Sequence, residues 1–272
     1  MRLVVSCPAK VNLFLAVGPK DARGYHPLRT VFQAVDLCDT LEIETGAERS
    51  EVTSDDPALP TDNTVAKALR LVAEVVSVPP LRVVLRKTIP AQSGLGGGSS
   101  DAAGLLRAVR ALMGRGVTDR ELREVALAVG ADVPFFLVGG RARGEGYGER
   151  LTPLEDAPTE WLALAMPDVR CPTPEMYRRL DDLSYPWREF PEGDELSNDF
   201  ERVAPCECLD LIERLDALGA KGAGLSGSGS AVFGRFSSQE EAETAVERLK
   251  GEGASWAYAA RTLGRKESTD WG

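Results

Sequence analysis

The sequence predicts an α+β protein with two lobes, and three observations support this fold class. Segments with strand-like and helix-like spacing of apolar residues are mixed along the chain, most clearly in its second half. The amino-acid composition changes at 151–158, where prolines and acidic residues become frequent, as expected of a connection between domains. A length of 272 residues is enough for two domains of ordinary size. We therefore expect a first lobe over residues 1–150 and a second over 151–272.

The first lobe is expected to begin with a small sheet. Segments 3–17 and 31–45 are rich in Val, Leu and Phe with rough alternation, which predicts two strands separated by turn signals at 18–30. Apolar residues then keep helical spacing over 63–76. A third strand is expected at 81–90, directly before a glycine-rich stretch.

Two further helices are predicted after the glycine-rich stretch. Apolar residues over 102–113 keep helical spacing, and the glycine that follows is expected to end this helix. Thr118, with Glu121 three residues later, predicts a capping box at the start of the next helix. Gly130 is expected to end that helix in the left-handed conformation. The charged, glycine-rich stretch at 141–150 carries no predicted element.

The second lobe is expected to mix strands and helices, and its tail at 265–272 is expected to fray. The predicted elements are a strand at 161–167, helices at 173–183 and 209–220, a loop running into a strand over 222–236, a helix at 238–251 capped by a serine, and a closing strand over 255–264.

Composition limits the partners and the location of the protein. A formal charge of −10 argues against nucleic acid and anionic membranes as partners, so any bound phosphate must be held by local groups. There is no apolar run long enough for a membrane helix and no signal-peptide core, so we expect a cytoplasmic protein. The five cysteines form no CxxC pair, which favours reduced thiols over a zinc site. We expect a monomer or a weak homodimer.

The stretch PAQSGLGGGSS at 90–100 predicts an anion site. It stands between a predicted strand and a predicted helix, where unpaired N–H groups and the helix dipole favour a phosphate. Glycines let the ligand approach the backbone, and serine hydroxyls add donors. A tight turn with a helix cap would need fewer glycines, so a polyphosphate is the favoured ligand. The candidate residues are Pro90, Ala91, Gln92, Ser93, Gly94, Leu95, Gly96, Gly97, Gly98, Ser99 and Ser100.

Three familiar phosphate motifs do not fit this loop. A Walker loop needs a lysine after the glycines, and none is present. A Rossmann fingerprint needs a third glycine where Ser99 stands, and an acidic residue after a following strand. Gly222, Gly224 and Gly227 match the Rossmann spacing, but a predicted strand follows where a helix is required. A protein-kinase loop is excluded because HRD and DFG elements are missing.

The loop instead resembles the phosphate-binding motif of the GHMP kinases, the family of galactokinase, homoserine kinase and mevalonate kinase. PAKVNLFL at 8–15 and GLSGSGSAVFG at 224–234 resemble two further motifs of that family, in the same order. The resemblance implies a ribosomal-S5-like N-terminal domain, a ferredoxin-like C-terminal domain, and ATP with Mg²⁺ bound in the cleft between them. No carboxylate cluster marks the metal ligands, and Ser100 and Asp101 are candidates only for indirect contact.

Further matches within the family extend over nearly the whole chain. They are GYH at 24–26, VGADVPFFL at 129–137, PTPEMY at 172–177 and ND at 198–199. This closer resemblance implies that the acceptor is a CDP-linked methylerythritol, phosphorylated on its 2-hydroxyl in the non-mevalonate isoprenoid pathway. Another GHMP kinase, acting on homoserine or mevalonate, is one alternative. A catalytically silent protein that senses a nucleotide or sugar is another.

Lys10 and Asp132 are the candidate catalytic pair. Lys10 lies in an otherwise apolar strand, where a lysine is costly unless a carboxylate or phosphate pairs with it. The resemblance implies the same pair, with Asp132 taking the proton of the acceptor and Lys10 keeping Asp132 ionised. The alternatives are a helix-capping role for Asp132 and an edge-strand lysine that reaches solvent.

Four residues are candidates for acceptor binding through the resemblance. Tyr25 and Tyr177 would stack on the two faces of the cytosine, and His26 would hydrogen-bond its edge. Asn12 would contact the methylerythritol hydroxyls. The alternatives are a surface or structural role for His26, core packing for Tyr177, and a strand-end polar position for Asn12.

Overall fold

A computed structural model describes residues 1–270 of the chain, and it contains two β-sheets. The α+β fold class is confirmed. The strands are β1 (Arg2–Val17), β2 (Leu28–Thr45), β3 (Glu51–Ser54), β4 (Leu81–Arg86), β5 (Arg141–Glu145), β6 (Arg150–Pro153), β7 (Trp161–Met166), β8 (Ser197–Asn198), β9 (Ala223–Leu225), β10 (Val232–Phe236) and β11 (Trp256–Arg261).

The helices pack on the two sheets. They are α1 (Thr64–Val75), α2 (Gly97–Met113), α3 (Asp119–Val129), α4 (Val133–Val138), α5 (Thr173–Asp181), α6 (Cys206–Ala217), α7 (Gln239–Gly251) and α8 (Arg265–Thr269). Short 3₁₀ turns stand at 114–116 and 199–203. Within the described part of the chain, no helix is both long enough and apolar enough to cross a bilayer.

The first sheet is built around the long antiparallel pair of β1 and β2. Its main strand order is β3-β4-β2-β1-β8, and the hairpin of β5 and β6 adds to the far end of β2. The register of β1 against β2 shifts between Pro8 and Ala9 and again between Asn12 and Phe14. Bulges of this kind re-aim side chains, and Lys10 lies between the two shifts. Helices α1, α2, α3 and α4 pack with this sheet around one apolar core.

The second sheet is antiparallel with the order β11-β7-β10-β9. Counted along the chain, this order is 4-1-3-2, and α6 and α7 form the two crossovers of a ferredoxin-like unit. One face packs on α6 and α7. The other face packs on β1 and β2, where Leu164 and Phe233 join Phe14 and Leu37 in a shared apolar cluster. This cluster fixes the two sheets against each other beside the cleft.

The chain crosses between the two lobes more than once. Strand β8 pairs in parallel with β1, and Thr262 forms an isolated bridge to Val35 of β2. Helix α8 packs on α4 and β2. We keep residues 1–150 and 151–272 as proposed domains, with β6, β8 and α8 from the second segment packing on the first.

Several expectations about local structure are confirmed. Helix α1 follows Asn63, whose side chain accepts hydrogen bonds from the backbone N–H groups of Val65 and Ala66. The capping box of Thr118 and Glu121 is present at the start of α3. The serine predicted to cap the 238–251 helix, Ser238, accepts a hydrogen bond from the N–H of Glu241. These caps satisfy N–H groups that the first helical turn leaves free.

Four local expectations are wrong, and tertiary contacts explain most of them. The strand expected to reach residue 90 ends at Arg86, because the N–H group of Lys87 bonds to Asp55 and those of Thr88 and Ile89 bond to Asp39, instead of to a neighbouring strand. Helix α2 starts at Gly97 rather than 102, and the 141–150 stretch belongs to a hairpin. Gly130 is extended, with φ near −179°.

The tail expected to fray also forms structure. Residues 265–269 form α8, held by the hydrogen bond from Gly140 N–H to Ser268 Oγ at 2.8 Å and by Arg107, which donates to the Ser268 carbonyl at 3.0 Å. Residues 271–272 of the expected tail lie outside the described residues.

Candidate active site

Two polar residues of the candidate site, Lys10 and Asn12, lie in the middle of β1. They are two residues apart in a strand, so their side chains lie on the same face. Lys10 Nζ donates to Asn12 Oδ1 at 2.5 Å, and Asn12 Nδ2 donates to Thr30 Oγ1 on β2 at 2.7 Å. Both side chains are about 97% buried. Burial lowers the pKa of Lys10, and the nearby charge of Asp132 partly offsets this by favouring the ammonium form. Thus Lys10 is no solvent-reaching edge lysine.

The serine–glycine loop at 226–230 joins this strand to the glycine-rich stretch. Gly227 N–H donates to Asn12 Oδ1 at 2.9 Å, and Ser226 Oγ donates to the Gly94 carbonyl at 3.0 Å. Asn198 donates to the Gly227 carbonyl at 2.8 Å from the neighbouring β8. These contacts pack the loop against β1, β8 and the glycine-rich stretch, and a contact between the loop and a phosphate stays a prediction.

The glycine-rich stretch is a tight connection that ends in the first turn of α2. Gly94 and Gly96 have positive φ values of 81° and 77°, which glycine adopts without steric cost. A Cβ at Gly94 would lie 2.1 Å from the Ser226 carbonyl oxygen, so a side chain there would push the two loops apart. The stretch therefore brings its backbone close to β1 and to the serine–glycine loop.

The eleven residues predicted to bind phosphate differ in their burial. Ser93 and Leu95 are buried, and Leu95 belongs to the cluster between the sheets, so these two side chains support the loop from behind. The start of α2 leaves free backbone N–H groups, the kind of site that binds phosphate. Ser100 Oγ is buried beside this helix end and has no hydrogen-bond partner among residues 1–270. An orphaned hydroxyl here fits a polyphosphate or its metal ion.

A buried charge cluster, which sequence reasoning missed, supports the loop from below. Lys87 Nζ pairs with Asp39 and lies 2.8 Å from Asp101 Oδ2, while Asp39 also accepts from the N–H of Ile89 at 2.8 Å. The cluster thus clamps the chain between β4 and the glycine-rich stretch. Burial raises the pKa of Asp101 to about 8, and the charge of Asp39 adds to the shift. The sequence feature that could have suggested this cluster is Lys87, a lysine directly after a strand.

Asp132 stands where α3 gives way to α4. It is half-buried and precedes α4, but its side chain makes no capping hydrogen bond there. The capping alternative therefore has no support. Among residues 1–270 no ion pair within 4 Å joins it to Lys10, although its charge acts on the pKa of Lys10 and adds to the rise in the pKa of buried Tyr177. Its carboxylate is therefore close enough to act electrostatically on both Lys10 and Tyr177.

Three predicted acceptor residues line one cavity of about 680 Å³ next to Asp132. Tyr25 is 64% exposed at its mouth, while Tyr177 and His26 form its inner wall. Its lining also includes Ala131, the residue before Asp132. Asn12 is not part of this lining and lies deeper, on β1. The structure therefore brings Tyr25, His26 and Tyr177 together, with Asn12 on the phosphate side.

His26 is already stacked on Tyr177. The ring centroids are 5.2 Å apart with an angle of 22°, so a base does not fit between these two rings. His26 Nδ1 lies 2.9 Å from the Gly18 carbonyl, which fixes the ring. Nε2 lies 3.0 Å from Asp181 Oδ1 but has no well-directed hydrogen bond among the described residues. Both ring nitrogens therefore face protein oxygens, and the His26 ring is held between the Gly18 carbonyl and Asp181.

Two cavity residues were missed in the sequence. Tyr147, on the turn of the β5–β6 hairpin, packs edge-on against Tyr25 with centroids 5.8 Å apart. Arg178 faces the cavity from α5 and forms no ion pair or hydrogen bond with residues 1–270. The neighbouring Arg179 instead pairs with Glu175 at 2.6 Å. The sequence could have suggested Tyr147, because it stands between two glycines in a turn-like stretch. Arg178 was not predictable, because only the fold shows which of two adjacent arginines faces the cavity.

A second, smaller cavity of about 270 Å³ borders the glycine-rich stretch. Its lining includes Gln92 and Gly94 of the glycine-rich stretch, and it shares Pro174 with the larger cavity. Among residues 1–270 no group of three or more His, Cys, Asp or Glu side chains forms a metal site. The structure thus places an aromatic cavity and a smaller cavity at the glycine-rich stretch on either side of Pro174.

Comparison with known proteins defines the class. The family models for the GHMP kinases N terminal domain and GHMP kinases C terminal match residues 63–140 and 187–255, respectively. A crystal structure of homoserine kinase from Cytophaga hutchinsonii shares the fold, with a TM-score of 0.73 at 18% identity over 98% of this chain and 96% of that one. The chain belongs to the GHMP kinase family and is a small-molecule kinase.

Within this family, similarity is greater to one kind of kinase. The chain is 39% identical to the 4-diphosphocytidyl-2-C-methyl-D-erythritol kinase of Geobacter sp. (strain M21), over 96% of this chain and 99% of that protein. The enzyme of that name from Symbiobacterium thermophilum is 37% identical over 95% of this chain and 99% of that protein. A crystal structure of 4-(cytidine 5'-diphospho)-2C-methyl-D-erythritol kinase matches with a TM-score of 0.83 and 36% identity, over 96% and 100% of the two chains.

Proposed function

We propose that the chain transfers the γ-phosphoryl group of ATP to the 2-hydroxyl of 4-diphosphocytidyl-2-C-methyl-D-erythritol. The products are ADP and the 2-phosphate, within the non-mevalonate isoprenoid pathway. The observation that carries the proposal is the aromatic cavity of Tyr25, His26 and Tyr177, which opens beside Asp132. Homoserine and mevalonate have no base to fill such a cavity.

The phosphate side of the site is proposed to hold ATP. The backbone of the glycine-rich stretch and the first turn of α2 bind the phosphates, with Ser99 and Ser100 adding hydroxyl groups. Mg²⁺ enters with the nucleotide and neutralises charge on its phosphate oxygens. Ser100 Oγ is a buried hydroxyl without a partner among residues 1–270 and is proposed to contact either ligand.

The chemical step is assigned to Asp132 and Lys10. Asp132 accepts the proton of the attacking hydroxyl, and Lys10 stabilises the negative charge that develops on the transferring group. Asn12 holds Lys10 Nζ in place through its 2.5 Å hydrogen bond and is proposed to contact the acceptor hydroxyls. Phosphoryl transfer depends mainly on such positioning and charge stabilisation.

The acceptor is proposed to place its cytosine against Tyr25, with His26 at the edge of the base. Because His26 already covers Tyr177, Tyr177 acts mainly as the support that orients His26. Arg178 is the cation that we propose for the diphosphate. It faces the cavity without a protein partner among residues 1–270, in a chain with a net charge of −10.

A product analysis tests this function. Wild-type protein with ATP and Mg²⁺ is mixed with the CDP-linked alcohol, and phosphorus NMR follows the new phosphate monoester while a coupled assay follows ADP. We expect equal amounts of ADP and of a product phosphorylated at the 2-hydroxyl. Homoserine and mevalonate serve as competing acceptors, and preferred turnover of either would replace the proposal. Binding of ATP without turnover of any acceptor would favour the sensor alternative.

A further inference from the structure

A cavity of about 490 Å³ lies where α2, α3, α4, β6 and α8 meet. Among residues 1–270, none of the residues that line it also lines the acceptor cavity or the smaller cavity at the glycine-rich stretch. Cavities of roughly 300–1,000 Å³ are the usual size for small organic ligands. The proposed phosphoryl transfer uses none of the residues around this third cavity.

One part of the lining is apolar. Leu122 of α3, Leu137 and Val138 of α4, and Leu151 of β6 contribute to it. Leu122 is buried, whereas the other three side chains are half-buried, so residues 1–270 leave part of their surface uncovered. Burial of such surface against a ligand is favoured by the hydrophobic effect. This wall therefore suits the apolar body of a small molecule.

The other part of the lining carries three arginines. Arg107 and Arg110 lie three residues apart on α2, and Arg123 lies on α3. Arg107 is only 9% exposed, and its guanidinium donates to the carbonyls of Ser6 at 2.8 Å and Ser268 at 3.0 Å. Among residues 1–270 no carboxylate lies within 4 Å of this guanidinium, and burial lowers its pKa. A buried cation without a counter-ion is costly, and a bound anion offsets that cost.

The carboxylates of the lining do not balance these arginines. Arg110 lies 3.1 Å from Asp119, and Glu149 accepts a backbone N–H within the β5–β6 turn at 2.5 Å. Arg123 is exposed and forms no ion pair or hydrogen bond with the described residues. The lining therefore keeps a net positive charge, with three arginines against two carboxylates, in a chain that carries −10.

We propose that this cavity binds a small amphipathic anion, with a phosphate or carboxylate head near Arg107 and Arg123 and an apolar body against Leu137 and Leu151. Guanidinium groups match both kinds of oxyanion through their paired N–H donors. The anion supplies the negative charge that residues 1–270 do not give Arg107, and its body covers the half-buried leucines. In the described chain an occupant contacts α2 and α4 but no residue assigned to ATP, the acceptor or catalysis.

Binding of hexyl phosphate tests this site, with hexanol and inorganic phosphate as the compounds that lack one half of the ligand. NMR titration of the full chain measures the affinity for each compound at one ionic strength. We expect a dissociation constant on the order of 1 mM for hexyl phosphate, and at least about 5-fold weaker binding of either control. Saturating ATP or CDP should not displace hexyl phosphate. The measurement needs no turnover, so it decides this site even if the kinase acts on another alcohol.

Arg123→Ala and Arg120→Ala are the matched variants, because both arginines are exposed on α3 but only Arg123 lines the cavity. Arg123→Ala should weaken hexyl phosphate binding about 3-fold to 5-fold, as expected for an exposed charged contact, and Arg120→Ala should not. Leu151→Trp fills the space of the apolar body and should weaken binding at least about 5-fold, with thermal unfolding confirming that it is folded. Absence of binding to wild type, equal binding of hexanol, displacement by a nucleotide, or equal affinity of the two alanine variants overturns the proposal.

Discussion

Asp132 is the residue on which the proposed chemistry depends most. Its carboxylate makes no capping hydrogen bond, yet its charge acts on Lys10 and Tyr177, so it has no evident structural task. Asp132→Asn keeps the size of the side chain and removes the base. We expect kcat to fall about 10²-fold to 10⁴-fold, the usual range for loss of a general base. Steady-state kinetics with the CDP-linked acceptor measure this change.

The control for Asp132→Asn is ATP affinity by calorimetry, which should hardly change because Asp132 is proposed to face the acceptor and not the nucleotide. Lys10→Ala should also lower kcat, and the double variant should be little worse than either single variant, since groups that act together are not additive. A near-normal kcat in folded Asp132→Asn would mean that the proton leaves by another route.

Alanine variants of Arg178 and Arg179 form a matched pair that tests the proposed contact with the diphosphate. Arg178 faces the acceptor cavity, whereas Arg179 pairs with Glu175 at 2.6 Å. Arg178→Ala should raise the KM for the CDP-linked acceptor roughly 5-fold to 10-fold, corresponding to about 1 kcal/mol for an exposed charged contact. Inhibition by CDP should weaken in parallel, while inhibition by cytidine should not.

Arg179→Ala is the comparison variant and should leave the acceptor KM near its wild-type value. If the two alanine variants have the same acceptor KM, Arg178 does not contact the diphosphate. Equal weakening of CDP and cytidine by Arg178→Ala would instead indicate that the arginine shapes the base site.

Asp101 predicts a pH-dependent stability. Burial, with the charge of Asp39 adding to it, raises its pKa to about 8, whereas an unfolded aspartate titrates near 3.9. Between about pH 4 and pH 8 the folded state thus retains a proton that the unfolded state lacks. The free energy of unfolding therefore falls as pH rises through this window, with a slope on the order of 1 kcal/mol per pH unit. Asp101→Asn removes this term and leaves Lys87 paired with Asp39 alone.

Urea unfolding of wild type and Asp101→Asn at several pH values between about 5 and 8 measures this effect. We expect the variant to gain stability relative to wild type as pH rises. Parallel stability curves for the two proteins would show that Asp101 is ionised throughout in the folded state.

At the scale of elements, the contact between α2 and β1 determines how closely α2 lies on the first sheet. A Cβ at Gly104 would stand 2.4 Å from Cys7 Sγ on β1. Gly104→Ala should therefore cost about 1–3 kcal/mol of unfolding free energy through overpacking. Cys7→Ala removes the sulfur and should restore part of that loss in the double variant. Denaturant unfolding of the four proteins gives the coupling energy, and strictly additive effects would contradict this close contact.

Regular elements were largely predictable from the sequence, because periodic burial and capping residues act locally. The apolar spacing around Leu69 predicted α1, and Thr118 with Glu121 predicted the start of α3. The β5–β6 hairpin was not predictable, because its glycine-rich and charged strands gain their stability from pairing with β2. Helix α8 likewise depends on contacts with Gly140 and Arg107, more than 120 residues away in the chain.

The candidate site was predictable where a motif carries it. The glycine-rich stretch, Lys10 and Asp132 are recognisable from residue types and order. The stacking of His26 on Tyr177 was not foreseen, since ring orientation depends on how α5 packs beside the turn after β1. The partners Asp39 and Lys87 were missed for a similar reason, because 48 residues separate them in sequence.

At the scale of the whole molecule, the cleft is made by packing two sheets against each other. The apolar cluster between them joins Leu95 of the glycine-rich stretch to β7 and β10 of the second sheet. Asn198 and the serine–glycine loop add polar links across the same boundary. The glycine-rich stretch and the second sheet therefore share one apolar support.

The central claim is that this cleft recognises its alcohol through the attached cytidine diphosphate and phosphorylates it. Comparison of kcat/KM for the CDP-linked methylerythritol and for free methylerythritol, under the same ATP concentration, tests this most directly. Stacking of one base contributes about 1–3 kcal/mol, and a diphosphate contact adds about 1 kcal/mol. The account thus predicts that the CDP-linked alcohol is preferred by at least 30-fold (about 2 kcal/mol). Equal kcat/KM values for the two alcohols would contradict it.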